Sequence, residues 1–180
     1  VPYAQANEEA AMAMGSKATA AESNSVAVGQ TATASKNNAI AIGTKTKSAG
    51  DNAIGIGAYA ESTAARATAV GVLSQANGEG SFAGGASAQA TGTNSVAIGG
   101  ATDGTLANKA GTAAKATGNQ AIALGTKSNA TGVNATAIGT GAQATHDNAI
   151  ALGAGSATKM AIPNKSDTFF GKTYTYAGGS

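Results

Sequence analysis

The sequence lacks cysteine, which excludes disulfides and thiolate metal sites. It also lacks tryptophan, and leucine is scarce, so a helix bundle built on a leucine core is not expected. A single histidine, His146, leaves little room for a histidine metal cluster or for histidine-based catalysis. Charged residues are 11% of the chain, against about 25% in an ordinary soluble domain. The net charge is +2 and the basic residues are scattered, so no nucleic-acid footprint is expected. No run of about 18 apolar residues is present, so nothing spans a bilayer as a helix. The 2 prolines, Pro2 and Pro163, lie near the two ends. Between them the absence of proline suits a continuous backbone ladder and argues against disorder, which usually brings proline and charge.

What the chain has instead is alanine and 26 glycines, and the glycines are periodic. Short strings end at Gly15, Gly29, Gly43, Gly57, Gly71, Gly85 and Gly99, each 14 residues after the last. The register resumes at Gly125, Gly139 and Gly153 after one step of 26 residues. Residues 100–111 account for that step and read as a coil shortened by two. Three residues and one residue before the glycine stand large apolar side chains, as in Val26 and Val28, Ile40 and Ile42, Val96 and Ile98. Between them stands a small one. This period of two marks a strand. A second alternation follows each glycine. Small residues such as Ala32 and Ala34 or Thr46 and Ser48 alternate with larger or polar ones such as Lys45 and Lys47. That predicts a second strand with a small inner face and a variable outer one. The repeated glycine supplies one corner. Asn24, Asn38, Asn52, Asn94, Asn134 and Asn148 mark the other, because asparagine tolerates the left-handed region.

Alanine favours helices and 14 residues are two heptads, but a glycine in every repeat and alternating β-branched residues oppose that reading. The expected fold is therefore all-β, a narrow parallel solenoid of 14-residue coils. Roughly eleven coils at about 4.8 Å each would give a rod of about 50 Å. With the large residues inside, the small strip Ala27, Ala41, Gly55, Ala69, Ala83, Ala97, Ala123, Ala137 and Ala151 would face outward. A flat apolar strip is how an interface looks. Two large residues per coil barely offset the ordering of the coil, so self-association through that strip is expected. The converse orientation, with valine and isoleucine facing sister chains and alanine in the roll, is the open alternative.

No nucleophile constellation is visible, no G-x-S-x-G elbow occurs, and the 9 carboxylates are dispersed. Neither catalysis nor a cofactor is expected. Glu8 and Glu9 read as a solvated segment ahead of the repeats. The glycine-rich stretch Gly78–Gly85 lacks the lysine and helix of a phosphate loop. His146 reads as a solvated turn residue; a metal site would need Asp147 and a distant partner. Lys45, Lys47, Tyr59 and Glu61 fall on the outer positions of adjacent coils and offer charge with one aromatic anchor. Thr31 and Thr33 are the one outward threonine pair. These six are the candidate partner-binding residues, with a solubilising outer face as the plain alternative. Residues 1–10 read as an N-terminal segment, 11–156 as the roll and 157–180 as a C-terminal cap. Four of the seven aromatics, Phe169, Phe170, Tyr174 and Tyr176, gather in that last part.

The strings SVAVGQTATA, NAIAIGTKTKS, NSVAIGG and NATAIGTGAQA resemble the YadA-like head repeats of trimeric autotransporter adhesins, over about residues 11–156. The tail from Phe169 to Ser180 resembles the segment leading into the neck of such proteins. The resemblance implies a left-handed β-roll assembled as a homotrimer and displayed on a Gram-negative outer surface. The head would there contact host matrix proteins of the collagen, fibronectin or laminin class, or a cell-surface receptor. Neck, heptad stalk, membrane anchor and signal peptide are not seen between Val1 and Ser180, so a head without its anchor, and no membrane insertion by this stretch, are expected. The alternatives are a structural spacer that carries a more distal tip, or an ice-binding solenoid. The latter wants a flat threonine array, which the outer positions do not supply.

Overall fold

The computed structural model describes residues 3–101, 111–159, 166–170 and 172–175. Within them, ten three-residue strands form one parallel sheet and ten two-residue strands form another. The wide sheet runs from Met12–Met14 to Ile150–Leu152, and the narrow sheet from Gln5–Ala6 to Gln143–Ala144. The chain alternates between the two sheets, and each strand pairs with the strand one coil away. In the wide sheet Val26, Ala27 and Val28 pair with Ile40, Ala41 and Ile42. In the narrow sheet Thr33 and Ala34 pair with Lys47 and Ser48. The expected all-β parallel solenoid is realised, in ten turns rather than eleven, a rod of roughly 43 Å at about 4.8 Å per rung.

Both corners are four-residue turns closed by a backbone hydrogen bond. At the glycine corner the Ala32 N–H donates to the Gly29 carbonyl at 3.2 Å, and at the asparagine corner Ser25 N–H donates to Glu22 at 3.2 Å. Each turn has a left-handed residue at its third position, as a type II turn demands. Asparagine fills that place at Asn24, Asn38 and Asn52, with φ of 56–58°. At the other corner the repeated glycine takes a positive φ, as expected, and a second positive-φ residue that was not expected stands two positions later in the left-handed helical region: Lys17, Thr31, Lys45, Tyr59, Leu73, Ser87 and Lys127, with φ of 55–62°. The glycine has its own constraint. Gly29 sits at φ 132°, and a Cβ there would lie 2.5 Å from the Gly43 carbonyl oxygen. Turn amides also join the ladder, as when Thr31 N–H donates to Ser16 at 2.8 Å and Asn38 N–H to Ser23 at 3.1 Å. Proline has no place on such a backbone.

These tight corners decide which side chains lie inside. Face-to-face sheets ordinarily pack about 10 Å apart, whereas the ends of a four-residue turn lie within about 7 Å. Sheets joined at both edges by such turns leave room only for small groups. The small strip is accordingly the interior of the roll. Ala27, Ala41, Ala69, Ala83, Ala97, Ala123 and Ala137 are fully buried within the single chain, with Gly55 and Ala151 also buried. None of the nine can be the surface on which a second copy docks. This corrects the expected orientation in favour of its converse. The narrow sheet contributes Ala18, Ala20, Ala32 and Ala34 to the same interior, as expected.

One departure from alanine in the interior is compensated across the roll. Thr46 and Ser48 replace alanines on the narrow sheet, and the facing wide-sheet residue is Gly55. A Cβ on Gly55 would meet Thr46 Cγ2 at 2.9 Å and Ser48 Oγ at 2.8 Å. The hydroxyls are satisfied: Thr46 Oγ1 donates to Gly57 at 2.6 Å, Ser48 Oγ to Ile40 at 2.6 Å, and Ser62 Oγ to Ser48 Oγ at 3.0 Å.

The long step in the repeat is an insertion rather than a shortened coil. Val96, Ala97 and Ile98 pair directly with Ile122, Ala123 and Leu124, and Gln89 with Lys115, so no rung lies between them. The Ala114 N–H donates to the Gly99 carbonyl at 2.8 Å, which is the ordinary turn bond of a glycine corner. The extra residues therefore leave and re-enter at one corner, and the ladder closes across the gap. Residues 102–110 of the expected coil 100–111 lie outside the described residues.

The roll also begins earlier than expected. Gln5 and Ala6 pair with Thr19 and Ala20. Glu8 to Ala10 form an asparagine-type corner, with Ala11 N–H donating to Glu8 at 3.1 Å and Ala10 at φ 55°. At the other end Gln143 bridges to Ala157. In the expected cap, Ser166–Phe169 and Lys172–Thr175 form an antiparallel hairpin, a two-stranded sheet that joins neither ladder.

Candidate functional site

With alanine on the inside, the alternation sends every large residue of the wide sheet outward. Two columns result. One contains Val26, Ile40, Ile54, Phe82 and Val96, the other Val28, Ile42, Ile56, Val70 and Ile98. None of the ten strands carries a charged residue. Neighbours in each column cover one another's flanks, but the outward tips stay open. Ile56 is 40% exposed and Ile98 45%, rising to 71% at Leu152 on the last rung. Phe82 shows how continuous the face is. Its coil has Gly84 in the second column, and a Cβ there would lie 2.9 Å from Phe82 Cε1, so the ring covers both places. A contiguous apolar face along the whole rod is a docking surface by composition.

The narrow sheet is the opposite. Its outward column reads Gln5, Thr19, Thr33, Lys47, Glu61, Gln75, Gln89, Lys115, Asn129 and Gln143, polar throughout. Amides link neighbouring coils: Gln75 Nε2 donates to Glu61 Oε2 at 3.4 Å, and Gln89 Nε2 to Gln75 Oε1 at 3.3 Å. The corners add the exposed ion pairs Lys36–Glu22, at 3.4 Å, and Arg66–Glu79. Such exposed pairs contribute about 0–1 kcal/mol each.

The six candidate partner-binding residues fall on this polar side, but not all on a strand. Thr33, Lys47 and Glu61 stack in register on three successive narrow strands. Thr31, Lys45 and Tyr59 sit beside them at the glycine corner, each left-handed. This corrects their expected place on the second strand; the strand starts two residues later because the turn needs a positive φ there. Left-handed φ is uncommon for a β-branched or bulky residue, so Thr31 and Tyr59 are held by the ladder rather than by preference. Lys45 Nζ lies 5.2 Å from the Tyr59 ring centroid, a cation–π contact between adjacent coils. The structure thus gathers the six into one patch.

His146 does not meet Asp147. Its Nδ1 lies 3.2 Å from Thr158 Oγ1, while Asp147 Oδ1 accepts from the Val133 N–H at 2.8 Å. Among the described residues, no group of histidine and carboxylate side chains could hold a metal ion. Nor does any described helix have the length and apolarity to cross a membrane.

No curated protein matches the chain. The family described as YadA head domain repeat (2 copies) matches it at residues 6–32, 23–46, 34–60, 48–74, 62–88 and 76–102, which overlap, and at 110–128 and 130–156. The matches begin at the first rung of the ladder and step over residues 103–109, within the insertion. They cover most of the chain and follow the solenoid coil by coil, so the chain belongs to the YadA head family.

Proposed function

We propose that three copies of this roll, each wound left-handed, pack their wide sheets around a common axis. They present the narrow sheets and corners outward as an adhesive head on a bacterial outer surface. The observation that carries this reading is the charge-free apolar face of the wide sheet, opposed by an entirely polar narrow sheet. A lone rod in water leaves the first face open along its full length, whereas a closed ring of copies covers it and leaves no copy of that face free for further addition. The family is one of trimeric autotransporter adhesin heads, with a non-enzymatic role, and what it touches outside the cell is left to the variable polar side. The matching partners are host matrix proteins of the collagen, fibronectin or laminin class, or a receptor on another cell. Two measurements test this. Light scattering at micromolar concentration is expected to give three times the 17.0 kDa chain mass, and a persistent monomer overturns the assembly. A solid-phase screen against collagens, fibronectin, laminin and whole cells is expected to find a ligand. A trimer that binds none of them is a spacer.

A further inference from the structure

Just beyond the insertion, Lys115, Lys127, Asn129 and Gln143 line a recess of about 250 Å³, with Gly111 and Ala113 as its small walls. Lys115, Asn129 and Gln143 are stacked in register on three successive narrow strands. Lys127 comes from the glycine corner of the middle coil, left-handed at φ 62°. The recess has a sequence cause. The corner column that elsewhere carries Lys45, Tyr59 and Leu73 falls to Ala113 here and to Gly141 two coils on, so Lys127 stands between two small neighbours.

Three properties of the recess define what fits it. First, its two ammonium groups have no carboxylate partner among the described residues, where the ion pairs are Lys36–Glu22 and Arg66–Glu79, both elsewhere. Second, Asn129 Oδ1 is buried with no hydrogen-bond partner among the described residues, as is the Thr112 hydroxyl beside the wall residues. A buried acceptor left without a donor costs about 1–3 kcal/mol, so Asn129 is poised to accept from a ligand O–H or N–H. Third, the volume is below the roughly 300–1,000 Å³ of a drug-sized pocket, which limits the occupant to about one ring. A sulfate ion answers the lysines but brings no donor to Asn129. A neutral sugar brings hydroxyls but leaves both charges unanswered. A hydroxyl-bearing ring with a carboxylate or sulfate answers both, and Gln143 can donate or accept at its rim.

We infer that this recess is a binding site for one unit of an acidic saccharide. The anionic group sits between Lys115 and Lys127, and a ring hydroxyl donates to Asn129 Oδ1. This deepens the adhesive reading and rests on it for its use at a surface. The described residues that line it come from one chain and lie on the opposite side of the roll from the apolar face.

The test titrates the 180-residue chain with five probes by calorimetry: a hyaluronan tetrasaccharide, a heparin tetrasaccharide, isomaltotetraose, sodium sulfate and tetraglutamate. Either acidic saccharide is expected to bind; hyaluronan alone identifies the carboxylate as the group read, and heparin alone the sulfate. The neutral sugar is expected not to bind. The double substitution Lys115→Gln/Lys127→Gln is expected to weaken binding at least tenfold with the melting curve unchanged, and Asn129→Ala about threefold or more. The control Lys17→Gln/Lys36→Gln removes the same charge elsewhere and is expected to leave affinity unchanged. The inference is overturned if no acidic saccharide binds the folded chain. Equal losses in both double variants, or tetraglutamate binding as tightly as the saccharides, also overturn it. Light scattering on the same samples reads assembly independently, so a trimer that ignores saccharides defeats this inference alone, and a monomer that binds them defeats the trimer alone.

Discussion

The two sheets of the roll share an interior and differ in everything they show the outside. Inward, both carry small residues, alanine above all, and Gly55 of one sheet makes room for Thr46 and Ser48 of the other side. Outward, the wide sheet is apolar and free of charge, while the narrow sheet mixes lysine, glutamate and amides. The inner faces are constrained by volume alone and so say little about partners. The outer faces are not needed to close the coil, and there one composition repeats while the other varies. Repetition on the wide sheet fits a partner that is the same at every rung, namely another copy of the rod. Variation on the narrow sheet fits partners that differ from place to place.

The comparison breaks most visibly at Ile56. Ile56→Asp places a charge on the open face of the wide sheet, and in a ring of three copies it appears three times. Burying unpaired charges costs several kcal/mol each. Sedimentation velocity is expected to show association weakened by more than about 100-fold, roughly 2.7 kcal/mol, with release of chains that keep a β-type circular dichroism spectrum. Retention of the wild-type assembly removes the apolar face from the interface.

A smaller effect on a different property is expected inside. Ala97 is fully buried, and overpacking a tight interior costs about 1–3 kcal/mol. Ala97→Leu is expected to lower the melting temperature by about 2–12 °C, at roughly 2–4 °C per kcal/mol for a chain of this size. The loss belongs to the folding of each coil, so the melting of an Ile56→Asp monomer falls by a similar amount when Ala97→Leu is added. Lys47→Leu, on the polar face, is expected to stay within about 0.5 kcal/mol. If Ala97→Leu leaves the monomer's melting unchanged and weakens only assembly, the small strip faces outward after all.

The smallest effect sharpens the comparison at the corner. Removing residues 100–111 joins Gly99 to Thr112 and restores the 14-residue spacing to Gly125. Because the ladder already closes across this gap, the deletion is expected to leave far-UV dichroism intact and to change stability by about 1 kcal/mol or less, in the stabilising direction, since a shorter loop costs less to close. A large destabilisation means that the insertion supports the neighbouring coils.

Much of this was legible in the sequence, and the parts that were not have a common cause. The 14-residue period, both strands, both corners and the small inner face of the narrow sheet all follow from residue spacing, because each is a local demand. The orientation of the wide strand does not. An alternation of Val26, Ala27 and Val28 reads the same whichever face is turned inward; only the distance between the sheets decides, and that is set by the turns at both edges. A signal was nevertheless present. The coil that raises Ala to Thr at Thr46 lowers Ala to Gly at Gly55, which is expected only if the two point at each other. Thr31, Lys45 and Tyr59 were misplaced onto a strand because nothing in a threonine or tyrosine announces a left-handed φ. The recess at Lys115 and Lys127 depends on two small residues in the corner column, an absence visible only when successive coils are stacked.

The hydrogen bonds of the ladder, such as Thr33 N–H to the Thr46 carbonyl at 2.9 Å, connect one coil to the next and so lie along the rod. A pull along that axis is therefore not shared among all rungs in parallel, as it is when strands are sheared past one another. It is carried by whichever coil is outermost, which peels before the next is loaded. Each coil released pays out about 45–50 Å of chain at roughly 3.3–3.6 Å per residue, in place of about 4.8 Å of rod. A tether built this way yields in small steps and dissipates work at each one, where a single large domain would give way all at once.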